Sequence, residues 1–176
     1  PTRELTRPKW WKMSTEAATS VQTAMDADTP PEELARLAAK GAGLACLVAS
    51  NVGTPAKLLG ELGSHKEFDV RQRVVENPNT PLNTHLKLAA EFPAQFLENP
   101  SLDLLFLENP NIISLMPDAS ISALLRLPQT PDYLVTLGIS ALGDYEGCWL
   151  AGHQSTAPEL LAMLATHDSK YVKKSA

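Results

Sequence analysis

The sequence contains few cysteines and no long apolar run, and both absences exclude classes of protein. Two cysteines among 176 residues, Cys46 and Cys148, are too few for a disulfide framework or a four-thiolate metal site. No apolar run approaches the roughly 20 residues that span a bilayer, and no signal-peptide pattern is recognisable. We therefore expect a cytoplasmic protein without a membrane segment.

Aromatic residues and glycines are also scarce, which indicates the kind of core that the chain can form. Aromatic residues make up 6% of the sequence, whereas all hydrophobic residues make up 44%, so leucine and alanine must supply most of the core. The 14 prolines outnumber the 9 glycines, which is typical of a chain with many short helices that each need a start signal.

Threonine returns at an interval of about 25 residues, which is the mark of a stacked repeat array. The repeating threonines are Thr29, Thr54, Thr80, Thr130 and Thr156. The interval from Thr80 to Thr130 is doubled, so we expect one degenerate unit there. Four of the five are followed directly by proline, and each precedes an apolar run. We expect each threonine to be a helix N-cap that accepts a hydrogen bond from a first-turn amide, with proline at the first helical position.

Residues at fixed distances from each threonine form apolar columns that predict the core. A capped helix should follow each threonine, and a second helix should precede it. Glu32 and Glu159 have the spacing of a capping box. The column five residues after threonine, expected to be core, consists of Leu34, Leu59, His85, Val135 and Leu161. The columns six and five residues before it are Thr23, Val48, Val74, Leu124 and Leu150, and Ala24, Ala49, Val75, Leu125 and Ala151.

The repeat pattern also predicts the organisation of the chain. Residues 1–13 are expected to form an N-terminal arm and residues 14–176 the repeat array. The array is irregular at 92–118, where we expect single turns or 3₁₀ turns. Its last residues match the middle of a unit, so we expect the array to be cut within a unit at the C-terminus.

One segment is similar to the repeat of the variant leucine-rich repeat family of bacterial proteins. Residues 69–89 read DVRQRVVENPNTPLNTHLKLA, close to the family pattern D-x-x-V-R-x-x-V-A-x-N-P-x-T-P-x-x-x-L-x-x-L-A. Residues 144–165 match more loosely. The resemblance implies an all-α, right-handed solenoid of about six repeats, each pairing an α-helix with a short or 3₁₀ helix. It implies no shared reaction.

The resemblance also bears on cofactors. The best-known form of the family carries an iron–sulfur cluster on a cysteine-rich N-terminal segment. No cysteine precedes Cys46 in this chain, so we expect no cofactor. Cys46 and Cys148 occupy equivalent repeat positions, and we expect them to pack as small apolar residues far apart. A reactive or metal-bound thiol is the alternative.

The charge of the chain is distributed unevenly, which points to the kind of partner. From Glu91 to Asp168 there are ten acidic residues and one basic residue, Arg126, a net charge of −9 within a total of −5. Carboxylates that converge on one face would attract a basic protein partner. An ordinary solvated surface is the alternative.

Seven residues are candidate partner contacts: Trp10, Trp11, Arg71, Arg73, Tyr145, Trp149 and His153. The tryptophan pair either covers the open end of the array or anchors a partner. Arg71 and Arg73 either pair with aspartates of adjacent units or contact phosphates. His153 is expected to lie in a turn beside Trp149 and Gln154. His85 occupies a column otherwise filled by Leu or Val, and we expect it to be a partly buried structural histidine.

No motif in the sequence supports an enzyme. There is no Ser-His-Asp set, paired-carboxylate site, phosphate loop or metal-ligand spacing, so we predict no catalytic and no metal-binding residues. The pattern favours a non-catalytic protein-interaction scaffold. One alternative is a nucleic-acid-binding superhelix that uses Arg71 and Arg73 together with four basic residues of the N-terminal arm, Arg3, Arg7, Lys9 and Lys12. Another is an accessory module of a larger redox or enzyme protein.

Overall fold

The computed structural model describes residues 9–153 and 156–176, with side chains from residue 16 onward. In this part of the chain every regular element is an α-helix, which confirms the all-α prediction. The helices are α1 (Lys9–Met25), α2 (Pro31–Ala38), α3 (Ala42–Ser50), α4 (Ala56–Leu62), α5 (Phe68–Glu76), α6 (Leu82–Leu88), α7 (Pro93–Glu98), α8 (Leu102–Glu108), α9 (Ile112–Leu115), α10 (Asp118–Leu125), α11 (Asp132–Ala141), α12 (Asp144–Ala151), α13 (Pro158–Leu164) and α14 (Lys170–Ser175).

The expected 3₁₀ helices are not found among the described residues. In the irregular section α7, α8 and α9 are α-helices of 6, 7 and 4 residues, although we expected single or 3₁₀ turns there. The residues directly before the three helices are Phe92, Ser101 and Asn111, and each helix buries at least one apolar side chain. Burial of that side chain supports a helix that is too short to be stable by itself.

The chain divides into two compact units, Pro1–Asn79 and Thr80–Ala176. In the first unit α3 packs against α1, α2 and α5. In the second unit α12 packs against α10, α13 and α14, and α10 also packs against α6, α7 and α11. Within each unit the helices that precede the repeat positions therefore stack in series, α1 with α3 and α5, and α10 with α12 and α14.

The columns ahead of each threonine form the core as predicted, with one exception. Nine of those ten residues are buried, whereas Thr23 is half-buried. Because these residues are buried on successive stacked helices, each repeat covers the apolar stripe of the neighbouring repeat within the same compact unit.

For the column five residues after each threonine, the prediction of burial is correct in three repeats and wrong in two. Leu34, Leu59 and His85 are buried, and His85 is fully enclosed rather than partly buried as we expected. Val135 and Leu161 are only half-buried, and the residues just before them, Leu134 and Leu160, are buried in their place. Positions four and five after threonine lie on either side of the same helical face, so a small rotation of the helix exchanges them.

The repeat threonines do not cap the helices that follow them. The N-cap residue is the next one in sequence, Pro30, Pro55, Pro81, Pro131 or Ala157, and none of these five helices has a side-chain cap hydrogen bond, so no capping box forms at Glu32 or Glu159. The threonine hydroxyl instead donates backward to the carbonyl six residues earlier. The bonds are Thr29 to Thr23 (2.6 Å), Thr54 to Val48 (2.6 Å), Thr130 to Leu124 (2.6 Å) and Thr156 to Leu150 (2.5 Å).

Buried asparagines in the first unit connect one repeat to the previous one. The Asn51 amide donates to the carbonyls of Ala24 (2.9 Å) and Asp26 (2.8 Å), and the Asn77 amide donates to those of Ala49 (2.8 Å) and Asn51 (3.0 Å). Each asparagine Oδ1 also accepts the backbone N–H two residues later. The bonds to the previous repeat join adjacent turns into a ladder.

Candidate functional site

The residues that gather into a candidate site lie on α12 and beside it, in the second unit. Tyr145 and Trp149 are four residues apart, so they share one face of α12, and they are 78% and 44% exposed. The His153 ring follows the helix, and its centroid lies 4.9 Å from the Trp149 ring at an angle of 48°. Three of the seven predicted contact residues therefore lie together on one exposed aromatic face.

Arg126 joins this face from a different part of the chain. Its Cζ lies 4.9 Å from the Trp149 ring centroid, which is a cation–π distance, and its Nε donates to the Ser122 carbonyl at 3.1 Å. We did not predict Arg126 as a site residue. Its isolation as the one basic residue of the acidic stretch was a signal, but its contact with Trp149, 23 positions away in the sequence, depends on how α10 and α12 pack.

A groove of about 500 Å³ adjoins the aromatic face, between the start of α11 and α13. Arg126 lines this groove and also covers Trp149, so its side chain is shared by the groove and the aromatic face. The apolar residues that line the groove are Leu125, Leu127, Pro128, Val135, Leu160 and Met163.

Two carboxylates stand at the edge of the groove. Asp132 lies in the first turn of α11 and Glu159 in the first turn of α13, where the helix dipole stabilises negative charge. Both side chains are exposed, and neither forms an ion pair with any described residue. The groove thus combines an apolar floor with an acidic rim, which suits a ligand that is both apolar and basic.

The two predicted arginines of the first unit are engaged in structural contacts. The Arg71 guanidinium donates to the carbonyls of His65 (2.7 Å) and Lys66 (2.9 Å) in the turn before α5. Arg73 pairs with Glu76 on the same helix at 2.8 Å. Arg73 therefore pairs with a glutamate of its own helix, whereas we predicted an aspartate of an adjacent repeat.

The surroundings of Cys46 are not those of a reactive thiol. Cys46 and Cys148 are free and half-buried. Burial raises the pKa of the Cys46 thiol, and the carboxylates of Asp69 and Glu67 raise it further, whereas the Arg73 guanidinium lowers it. Since the thiolate is the reactive form, this environment disfavours nucleophilic chemistry at Cys46.

The histidines other than His153 have structural positions. His85 is buried with its ring edge-to-face against Phe96, at a centroid distance of 5.3 Å. The Nδ1 atoms of His65 and His167 each accept the backbone N–H two residues later, at 3.1 Å and 3.0 Å. Because Nδ1 accepts, Nε2 of a neutral His167 carries the proton and donates to the Ile139 carbonyl at 3.1 Å. Across the described residues, His, Cys, Asp and Glu form no group of three that could hold a metal ion.

Trp10 and Trp11 lie in helix α1, but the structure describes side chains only from residue 16 onward. Their predicted role as a cover or a partner anchor is therefore untested. The helix that contains them is continuous from Lys9 to Met25 and crosses the boundary that we placed between residues 13 and 14.

Comparisons with protein-family models, curated proteins and solved structures gave no match. Among the helices described, none combines the length and the apolar character needed to cross a membrane.

Proposed function

We propose that this protein is a non-catalytic interaction module that binds a basic protein partner. The observation that carries the proposal is the exposed set of Tyr145, Trp149 and Arg126 beside an acid-rimmed apolar groove. Tryptophan, tyrosine and arginine are the residue types enriched at the energetic centres of protein interfaces. A basic partner would also be drawn by the surrounding stretch, which has ten acidic residues and one basic residue.

The proposed architecture is a right-handed α-solenoid of the variant leucine-rich repeat type, with about six repeats. Its support is the serial stacking of α1, α3 and α5 and of α10, α12 and α14. A second, independent support is a recurring pattern of hydrogen bonds: the asparagine bonds between consecutive turns and the threonine bond to the carbonyl six residues earlier. A solenoid built in this way presents its turns and helix faces in rows, which suits the binding of an extended partner.

Nucleic-acid binding is less well supported. Phosphate contact at the predicted site would require Arg71 and Arg73 to leave the backbone carbonyls and the carboxylate that they now contact. The Arg73–Glu76 pair is exposed and contributes only about 0–1 kcal/mol, so Arg71, with two bonds to backbone carbonyls, is the more firmly oriented of the two. The acidic stretch from Glu91 to Asp168 would also repel a phosphate backbone.

The test of this function is affinity capture with the whole protein from a lysate of its source cells, with and without nuclease. We expect a basic protein to be retained after nuclease treatment and released by moderate salt. The double variant Tyr145→Ala/Trp149→Ala should lose this protein. Tyr171→Ala is the matched control, because Tyr171 is an exposed aromatic residue on α14 in the same unit.

Two outcomes would reject the proposal. Retention of the same partner by the Tyr145→Ala/Trp149→Ala variant would show that the aromatic face does not bind it. Recovery that disappears on nuclease treatment would move the function to nucleic acid and to Arg71 and Arg73.

A further inference from the structure

We propose that the groove between α11 and α13 binds a segment in which apolar residues alternate with lysine or arginine. This inference rests on the proposed function, since it names the site and the chemistry of the basic partner. The apolar residues of the partner would lie on the floor of the groove, and the lysines or arginines of the partner would pair with Asp132 and Glu159.

The shape of the groove supports a bound side chain. Its volume of about 500 Å³ falls in the range of binding pockets, about 300–1,000 Å³. Half-buried Val135 and Met163 and the buried Leu160 contribute to the floor. An apolar side chain placed there would remove exposed apolar surface from water, which favours binding.

The charge of the groove favours a positively charged partner. Asp132 and Glu159 enter it from two different helices, and both are free of ion pairs with described residues. The single cation of the groove, Arg126, is directed onto Trp149 and the Ser122 carbonyl. It forms no salt bridge with either carboxylate in the described part of the chain, so both remain available to a lysine or arginine of the partner.

A groove of similar volume in the first unit has a different composition, which favours the groove between α11 and α13 as the basic-segment site. The first-unit groove, of about 490 Å³, contains Lys66 together with Glu61 and Glu67, and Lys66 pairs with Glu67 at 3.9 Å. Its acidic groups are thus partly compensated. A basic segment should prefer the groove between α11 and α13.

The test measures binding of a fluorescent peptide of alternating leucine and lysine to the whole protein, with a leucine and glutamate peptide as the reverse-charge probe. We expect the lysine peptide to bind and the glutamate peptide not to bind. The variant Asp132→Asn/Glu159→Gln should weaken binding by at least about tenfold. Asp103→Asn/Glu108→Gln removes the same charge from exposed positions on α8 outside the groove and should change binding by less than about threefold.

A second variant separates the groove from the general field of the acidic stretch. Ala157 is exposed and lines the groove at the N-cap of α13, so Ala157→Trp fills the groove without changing any charge. We expect this variant to lose the lysine peptide, with helicity and melting temperature checked by circular dichroism. Ala119→Trp, at an exposed position of α10 outside the groove, should bind like the unmodified chain.

The possible failures have different meanings. Equal weakening by the two charge-neutralising pairs, or unimpaired binding by a folded Ala157→Trp variant, would overturn the groove and leave the acidic interaction surface standing. Failure of the unmodified chain to prefer the lysine peptide over the glutamate peptide would overturn both the groove and the basic partner.

Discussion

Asn51 shows how one polar side chain can connect two repeats. Its side chain makes three hydrogen bonds, two to carbonyls of the previous turn and one from the Gly53 N–H, and it is 5% exposed. Each such bond contributes about 0.5–1.5 kcal/mol net, and a buried group left without a partner costs more. The position therefore matters more to stability than a turn asparagine usually does.

We expect Asn51→Ala to lower the free energy of unfolding by about 2–4 kcal/mol, because it leaves the carbonyls of Ala24 and Asp26 without that donor. Urea denaturation followed by circular dichroism measures the change. Asn79→Ala is the control, since the exposed Asn79 makes a solvent-accessible bond to the Val52 carbonyl. Similar losses for the two variants would contradict the importance of the buried ladder.

Gly53 is required for the close approach of two turns. A Cβ atom added there would overlap the backbone carbonyl oxygen of Ala27, which cannot move as a side chain would. We expect Gly53→Ala to destabilise the fold by about 1–3 kcal/mol or more. Gly43→Ala, on α3 with open space around it, should instead stabilise by up to about 1 kcal/mol. Thermal melts of the two variants should therefore shift in opposite directions, and parallel shifts would refute this packing.

The Cys46 thiol gives a prediction about reactivity with a defined sign. Burial and the Asp69 carboxylate raise its pKa, so removal of that carboxylate should lower the pKa and increase the thiolate fraction at a fixed pH near 8. In a Cys148→Ala background, Asp69→Asn should thus accelerate alkylation by iodoacetamide. Arg73→Gln should slow it, because Arg73 lowers the pKa. Rates that change in the opposite sense would contradict the charges assigned around Cys46.

At the scale of the element, the short helices are defined by one buried face each. In α13 the buried residues are Leu160 and Leu164, four positions apart, and Leu161 lies at the edge of the face. Helix α14 then packs on α12, where Gly147 leaves room for Val172, since a Cβ at Gly147 would lie 2.6 Å from a Val172 methyl group. Small and large residues thus fix which side of each helix is buried.

The register of α13 can be tested by truncating two adjacent leucines. Leu160→Ala should destabilise by about 2–5 kcal/mol as a core truncation. Leu161→Ala should cost less than half as much, since Leu161 is half-buried. A larger loss for Leu161 than for Leu160 in denaturant melts would restore the register predicted from the sequence and reject the one observed.

The sequence predicted most of this level of structure, and its errors were local. Residues six and five before each threonine were identified as core from spacing alone, and nine of the ten are buried. The threonine hydroxyl was assigned to the following helix, whereas it bonds to the preceding one. Spacing places a residue on a helix or a turn, but the direction of a hydroxyl depends on which carbonyl the folded turn brings near it.

At the scale of the molecule, the uneven charge has a consequence for stability. The stretch from Glu91 to Asp168 has a net charge of −9, with most of its carboxylates exposed. Like charges on one compact unit repel one another, and this repulsion disfavours the folded state. The same repulsion maintains the negative field that would attract a basic partner.

Moderate salt should therefore stabilise the protein. Raising ionic strength from about 0.01 M to about 0.15 M shortens the Debye length from roughly 30 Å to roughly 8 Å and screens the repulsion. We expect the melting temperature to rise by a few degrees in sodium chloride, and to rise less in the Asp103→Asn/Glu108→Gln variant. A fall in melting temperature over this range would show that attractive charge pairs dominate.

The sequence by itself determined the all-α class, the positions of the turns and most of the buried columns, because these follow from local backbone preferences and helical spacing. Only the tertiary structure decided that Arg126 covers Trp149 and that an acid-rimmed groove adjoins them. These residues lie on separate helices, and their distances depend on the packing angles and rotations of α10 to α13. Small rotations of a helix, such as the one that buries Leu160 in place of Leu161, cannot be predicted from the spacing of residues in the sequence.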